Sequence, residues 1–90
     1  MERRFWLGTG WKMNRTRAEA RAYAEALRAA PDLGDLPLRL FVLPPFTALT
    51  EVAAALASTP VLVGAQNCHW ADAGAWTGEI SAPQIAECGA

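Results

Sequence analysis

Ninety residues suit one small domain, and a hydrophobic share of 52% fits a packed core and argues against disorder. Eight basic and nine acidic residues leave a formal net charge of −1, which gives no electrostatic ground for a nucleic acid or an anionic membrane as partner. Met1-Glu2-Arg3-Arg4 contains an acidic residue and no long apolar run follows it, so neither a signal peptide nor a membrane-spanning helix is expected.

The chain then reads as strand and helix in alternation. Phe5 to Thr9 is apolar and β-prone. Thr16-Arg17-Ala18-Glu19 has the form of a capping box, with Thr16 as N-cap and Glu19 reaching back. Ala18, Ala22, Ala26 and Leu27 are the expected apolar stripe of the helix that follows. Pro31, Gly34 and Pro37 end that helix and make a loop. Leu38 to Leu43 is almost continuously apolar, as a strand buried on both faces should be, and Pro44-Pro45 stops it. Thr47 is the expected cap of a second helix reaching about Ala57, with Leu49, Val52, Ala53 and Leu56 inward. Pro60 opens a third strand, Val61 to Ala65, and a polar loop holding glycine and tryptophan runs from Gln66 to Ile80. Ser81-Ala82-Pro83-Gln84 is a second capping box, starting a short helix that Gly89 terminates. Strands separated by helices of about ten to fifteen residues imply parallel βαβ units with right-handed crossovers.

Lys12 is the first candidate for chemistry. It stands at the end of an apolar strand and before a helix, and ligands of parallel α/β folds bind at the carboxyl ends of strands. Alternation places Phe5, Leu7, Thr9 and Trp11 on one face and Trp6, Gly8, Gly10 and Lys12 on the other. Two glycines on the lysine's face predict open space beside its ammonium, although Gly8-x-Gly10 is not a dinucleotide fingerprint. A solvated surface lysine is the commoner arrangement. Gln66-Asn67 can orient a ligand or brace the loop, and bracing is the preferred reading. His69 has no ligand partner at a metal-binding spacing and reads as a loop residue, so no metal site is expected. Asp72, Glu79 and Glu87 form no evident carboxylate pair. Trp70 and Trp76 predict a loop packed either on another subunit or on its own fold. Trp6 and Trp11 read as core. Cys68 and Cys88 read as two buried thiols of a cytoplasmic protein rather than a disulfide.

Four blocks together resemble the triosephosphate isomerase family: Trp11-Lys12-Met13-Asn14, Pro44-Pro45-Phe46-Thr47-Ala48, Val63-Gly64-Ala65-Gln66-Asn67-Cys68 and Thr77-Gly78-Glu79-Ile80-Ser81. Their order and spacing suit that family over nearly the whole chain. The resemblance implies an α/β chain forming the first three βα units of a TIM (β/α)8 barrel, a fold of about 250 residues. Residues 1–90 are then one partial barrel domain, interrupted before the fourth strand.

The resemblance also implies a reaction, a proton transfer between adjacent carbons of a phosphorylated small sugar without a cofactor. Dihydroxyacetone phosphate and glyceraldehyde 3-phosphate would be interconverted through an enediolate. Lys12 would bind the substrate phosphate and stabilise the enediolate, a role that fixed positive charge fulfils. Gln66 to Ser81 resembles the family's interdigitating loop, which makes Gln66, Trp76, Thr77, Gly78 and Glu79 the expected homodimer contacts.

Two departures qualify this. The family's asparagine before Trp-Lys is Gly10 here, so the substrate-contacting position lacks a hydrogen bond worth about 0.5–1.5 kcal/mol. The surrounding pattern, with His69-Trp70-Ala71-Asp72 and Gly74-Ala75-Trp76-Thr77-Gly78, is similar to a branch that isomerises erythrulose phosphates, and Gly10 leaves room for one more carbon. The family's histidine electrophile and glutamate base match no residue of this chain, since His69 comes too early and Glu79 belongs to the loop. Three βα units cannot close a barrel, so these residues alone are expected to be an inactive, aggregation-prone fragment.

Overall fold

The computed structural model describes residues 5–90. The expectation of no leader rests on residues 1–4, outside that range. Six elements follow in order: β1 (Phe5–Gly10), α1 (Arg17–Ala29), β2 (Leu38–Leu43), α2 (Leu49–Leu56), β3 (Leu62–Val63) and α3 (Ala82–Glu87). The three strands are parallel and lie in chain order, β1-β2-β3. Register runs without interruption from Phe5 opposite Leu38 to Gly10 opposite Leu43. β3 pairs at Phe41–Leu62 and Val42–Val63, and the Gly64 N–H extends that ladder to the Val42 carbonyl at 3.0 Å. The expected third strand therefore shortens, with Pro60 withholding a donor at its start and Ala65 already turning away.

Both capping boxes form. Thr16 and Glu19 exchange bonds at the start of α1, as do Ser81 and Gln84 at the start of α3, where Pro83 takes a first-turn position. Gly89, at φ 95°, follows the C-cap of α3. Thr47 is not a helix cap. After Pro45 the chain makes a short 3-10 turn over Phe46–Ala48, closed by the Ala48 N–H on the Pro45 carbonyl, and Thr47 lies within it. The N-cap of α2 is Ala48, which has no capping side chain.

The core lies between the helices and one face of the sheet. Trp11, Val42 and Val61 are buried against Ala20 and Ala24 of α1 and Val52 and Leu56 of α2. Each large aliphatic side chain so buried contributes about 1.5–3 kcal/mol. The stripe of α1 differs from expectation: Ala18, Ala22 and Ala26 are exposed, while Ala20, Tyr23, Ala24 and Leu27 face inward. On α2, Leu49, Val52, Ala53 and Leu56 are buried as expected. Arg17 and Arg21 both pair with Glu51 and tie α1 to α2, and the hydrogen bond from Arg17 holds the Glu51 carboxyl below its usual range.

The other face of the sheet is open among the described residues. Trp6 is 62% exposed, not core, and meets the Phe41 ring edge-on at 6.1 Å with Arg39 above it. Among the described residues no helix is long and apolar enough to cross a membrane.

Candidate active site

The last residues of β1 combine tight anchoring with backbone strain. The Trp11 N–H reaches the Leu43 carbonyl at 3.1 Å, so parallel pairing continues one residue past the strand. Lys12 then turns left-handed, at φ 61°, a conformation costing a non-glycine residue about 1–2 kcal/mol. Such residues persist where their surroundings over-determine them, and they cluster at functional sites. Here Gln66 supplies a constraint, its Nε2 donating to the carbonyls of Lys12 at 3.1 Å and Leu43 at 2.8 Å. Gln66 thus braces the ends of β1 and β2 from beyond β3, where the expectation was that it braces its own loop. Asn14 turns back on the same segment, its Nδ2 donating to the Trp11 carbonyl at 2.8 Å.

Lys12 is exposed and lines a cleft of about 630 Å³ with Thr9, Gly10, Trp11, Asn14 and Arg15. The two glycines of its face are not equivalent. At Gly8 the space is taken, since a Cβ there would lie 2.5 Å from the Phe41 ring. At Gly10 a Cβ would meet only Leu43 Cδ1 at 3.9 Å, an ordinary contact, so the expected room exists beside Lys12 alone. The charge near this cleft is mixed. Bonds from the Thr16 backbone and hydroxyl hold Glu19 below the usual carboxylate range against a small opposing effect of burial, and the charge of Arg15 adds to the lowering.

The second group of expected site residues lies elsewhere. The loop after Gln66 closes on itself: Asn67 Nδ2 donates to Glu79 at 3.3 Å, and the His69 N–H reaches the Ile80 carbonyl at 2.7 Å. Its tip is a turn in which the Glu79 N–H bonds the Trp76 carbonyl at 3.0 Å across Thr77 and Gly78. Gly78 takes φ 85°, which favours glycine at the third position of such a turn. His69 stacks on Trp70 at 5.1 Å and meets Trp76 tilted at 4.6 Å, the two tryptophans themselves touch edge-on at 5.4 Å, and the His69 Nδ1 accepts from the Ala71 N–H. It is a loop residue, as expected, and an architectural one. Trp70 is 81% exposed and Trp76 is 47% exposed, so neither is covered by the described residues. Trp76 and Glu79 line a cleft of the loop, separate from the one lined by Lys12 and Gly10. Cys68 is exposed and Cys88 half-buried, both as free thiols, which corrects the expectation of burial.

Arg15 joins this segment as a residue that the sequence alone does not mark. It is a second left-handed residue, at φ 79°, with its guanidinium over the rings of Trp11 and Tyr23. An arginine after Lys-Met-Asn has no local signature, because its stacking partner Tyr23 lies on the next helix.

A family model described as triosephosphate isomerase matches residues 5–90. The chain belongs to the triosephosphate isomerase family. Among characterised relatives, the L-erythrulose-1-phosphate isomerase of Rhizobium rhizogenes is 58% identical over 85 residues, covering 94% of this chain and 33% of the relative. That of Brucella abortus biovar 1 is 60% identical over 86 residues, and that of Mycolicibacterium smegmatis 51% over 90. The crystal structure of triosephosphate isomerase from Bartonella henselae superposes with a TM-score of 0.78 at 32% identity, covering 94% of this chain and 34% of that one. The chain therefore spans about a third of the length of these members of the triosephosphate isomerase family. The parallel sheet and its helices are a part of the family's barrel, as the sequence motifs implied. Of the two reactions raised by the resemblance, it is the tetrulose one that the relatives' names carry.

Proposed function

We propose that these residues are the N-terminal part of a tetrulose-phosphate isomerase that interconverts L-erythrulose 1-phosphate and D-erythrulose 4-phosphate. The observation that carries this reading is the room at Gly10, directly beside a lysine fixed at the carboxyl end of β1. The triose reaction, the default from overall resemblance, gives way to it because the similar proteins at 51–60% identity bear the erythrulose name.

In this mechanism the Lys12 ammonium binds the phosphorylated sugar and lies ready for the oxygen that becomes negative as the enediolate forms. Preorganised charge of this kind is worth about 10²–10³ in turnover when a single donor is removed. Proton transfer falls to a base and an electrophile outside this chain, so these residues bind and stabilise. Gly10 contributes by what it lacks: no side chain occupies the space where a fourth carbon lies. The complete enzyme is a cytoplasmic homodimer, with Trp76, Thr77, Gly78 and Glu79 at the loop tip seated on the second subunit. The exposed Trp70 and Trp76 rings support that arrangement, since association would cover them.

Turnover of L-erythrulose 1-phosphate and of dihydroxyacetone phosphate by the complete enzyme decides between substrates. A clear preference for the triose overturns the tetrulose reading. Lys12→Met should lower turnover of the preferred substrate by about 10²–10³. Gly10→Asn should narrow the preference by up to about tenfold, matching one hydrogen bond gained by the triose and space lost to the tetrulose.

A further inference from the structure

The segment from Lys12 to Arg15 begins and ends on a left-handed residue, at φ 61° and 79°. Neither is glycine, so each conformation requires external support. For Lys12 that support is Gln66. For Arg15 it is aromatic. The guanidinium carbon lies 5.2 Å from the Trp11 ring centroid and 4.7 Å from that of Tyr23. The two rings meet edge-to-face at 4.7 Å, and Trp11 is only 5% exposed. Arg15 is therefore anchored to a pair of rings that the core and α1 hold still. A guanidinium over aromatic faces combines electrostatic attraction with planar stacking, which a lysine ammonium matches only in part.

We propose that Arg15 is a positioning residue for Lys12, fastening the far end of the lysine's loop to the Trp11–Tyr23 pair so that the ammonium keeps its place over the cleft. The proposal rests on the reading of Lys12 as the substrate-binding cation. Between the two fastenings lie only Met13 and Asn14, and Asn14 is itself bonded to the Trp11 carbonyl. Freeing Arg15 leaves the far side of the lysine held by the single Asn14 bond. The other fastening, Gln66, acts on the Lys12 carbonyl and does not restrain the residues that follow.

The test compares Arg15→Gly and Arg15→Lys in the complete enzyme. Glycine accepts a positive φ without strain, so Arg15→Gly removes the stacking and leaves the fold intact. Two readouts are needed: turnover of L-erythrulose 1-phosphate, and the heteronuclear NOE of the Lys12 backbone amide. Arg15→Gly is expected to lower kcat about tenfold and to lower the Lys12 NOE, with thermal stability little changed. Arg15→Lys should recover part of both. The proposal is overturned if Arg15→Gly turns over at the parent rate, or if it slows while the Lys12 amide stays as rigid as in the parent. If the parent itself isomerises neither sugar phosphate, the functional reading fails, and the NOE still decides whether Arg15 holds the loop.

Discussion

The two faces of the same short sheet differ sharply. On the helix side Trp11, Val42 and Val61 are closed over by α1 and α2, and the small side chains of Ala20 and Ala24 let the helix come close. On the opposite side Trp6 stands exposed, with Phe41 and Arg39 beside it among the described residues. Around Trp11, Val42 and Val61 the helix side is covered by residues near in sequence, because each crossover helix folds back on the strands it connects, while Phe5 and Leu7 at the start of β1 on that same face stay 64% and 58% exposed. The other side needs strands that these residues do not supply. A βα unit thus covers most of its outer layer locally, while a barrel's interior is a collective property. Lys12 and Gly10 sit where the two regimes meet, at the carboxyl end of β1, beside the open cleft that Lys12 lines.

Mutations should separate the two faces. Leu56→Ala removes a side chain that is 1% exposed on the helix side, and it should cost about 2–5 kcal/mol in denaturant unfolding of the complete protein. Gly8→Ala pushes a methyl group into the Phe41 ring and should cost about 1–3 kcal/mol by the same measurement. A loss below about 0.5 kcal/mol at Gly8 would mean that Phe41 moves freely, and the open face would then be looser than it stands here. Acid should weaken the helix side through Glu51. Its carboxyl is depressed in the folded chain by Arg17 and then Arg21, so its stabilising contribution is fully present above the ordinary carboxylate value near 4.3 and is lost as pH falls through the folded value. Glu51→Gln should flatten the part of the stability profile that lies below the ordinary carboxylate value. The smallest effect is expected at Gly10→Ala, which meets only Leu43 and should change stability by less than about 0.5 kcal/mol. For the isolated ninety residues, the exposed inner face predicts self-association in light scattering, and a monodisperse monomer with a cooperative melt would contradict it.

Local chemistry was readable from the sequence and phase was not. Thr16 with Glu19 and Ser81 with Gln84 are reciprocal bonds within four residues, so spacing alone identifies them. The stripe of α1 was misplaced because alanine recurs at every even position from Ala18 to Ala26, which marks no single face. Tyr23 and Leu27, one turn apart, fix the phase, and Ala20 and Ala24 follow them inward. Thr47 has the chemistry of a cap, but the proline before Phe46 leads into a 3-10 turn that consumes it. At the site, Lys12 and Gly10 could be found from strand alternation and motif. The filling of Gly8 by Phe41 could not, since cross-strand register decides it. Arg15 has no such signal because one of its two ring partners, Tyr23, is brought to it by the packing of α1.

The order β1-β2-β3 leaves β1 with a bare edge among the described residues. In a closed barrel of eight parallel strands laid down in sequence, that edge receives the final strand. A barrel closed in that order would form the seam beside Lys12 last, as the nascent chain emerges at about 5–20 residues per second. In such a barrel the lysine rim would be built earliest and sealed latest, and its fastenings through Gln66 and Asn14 are already complete within the described residues.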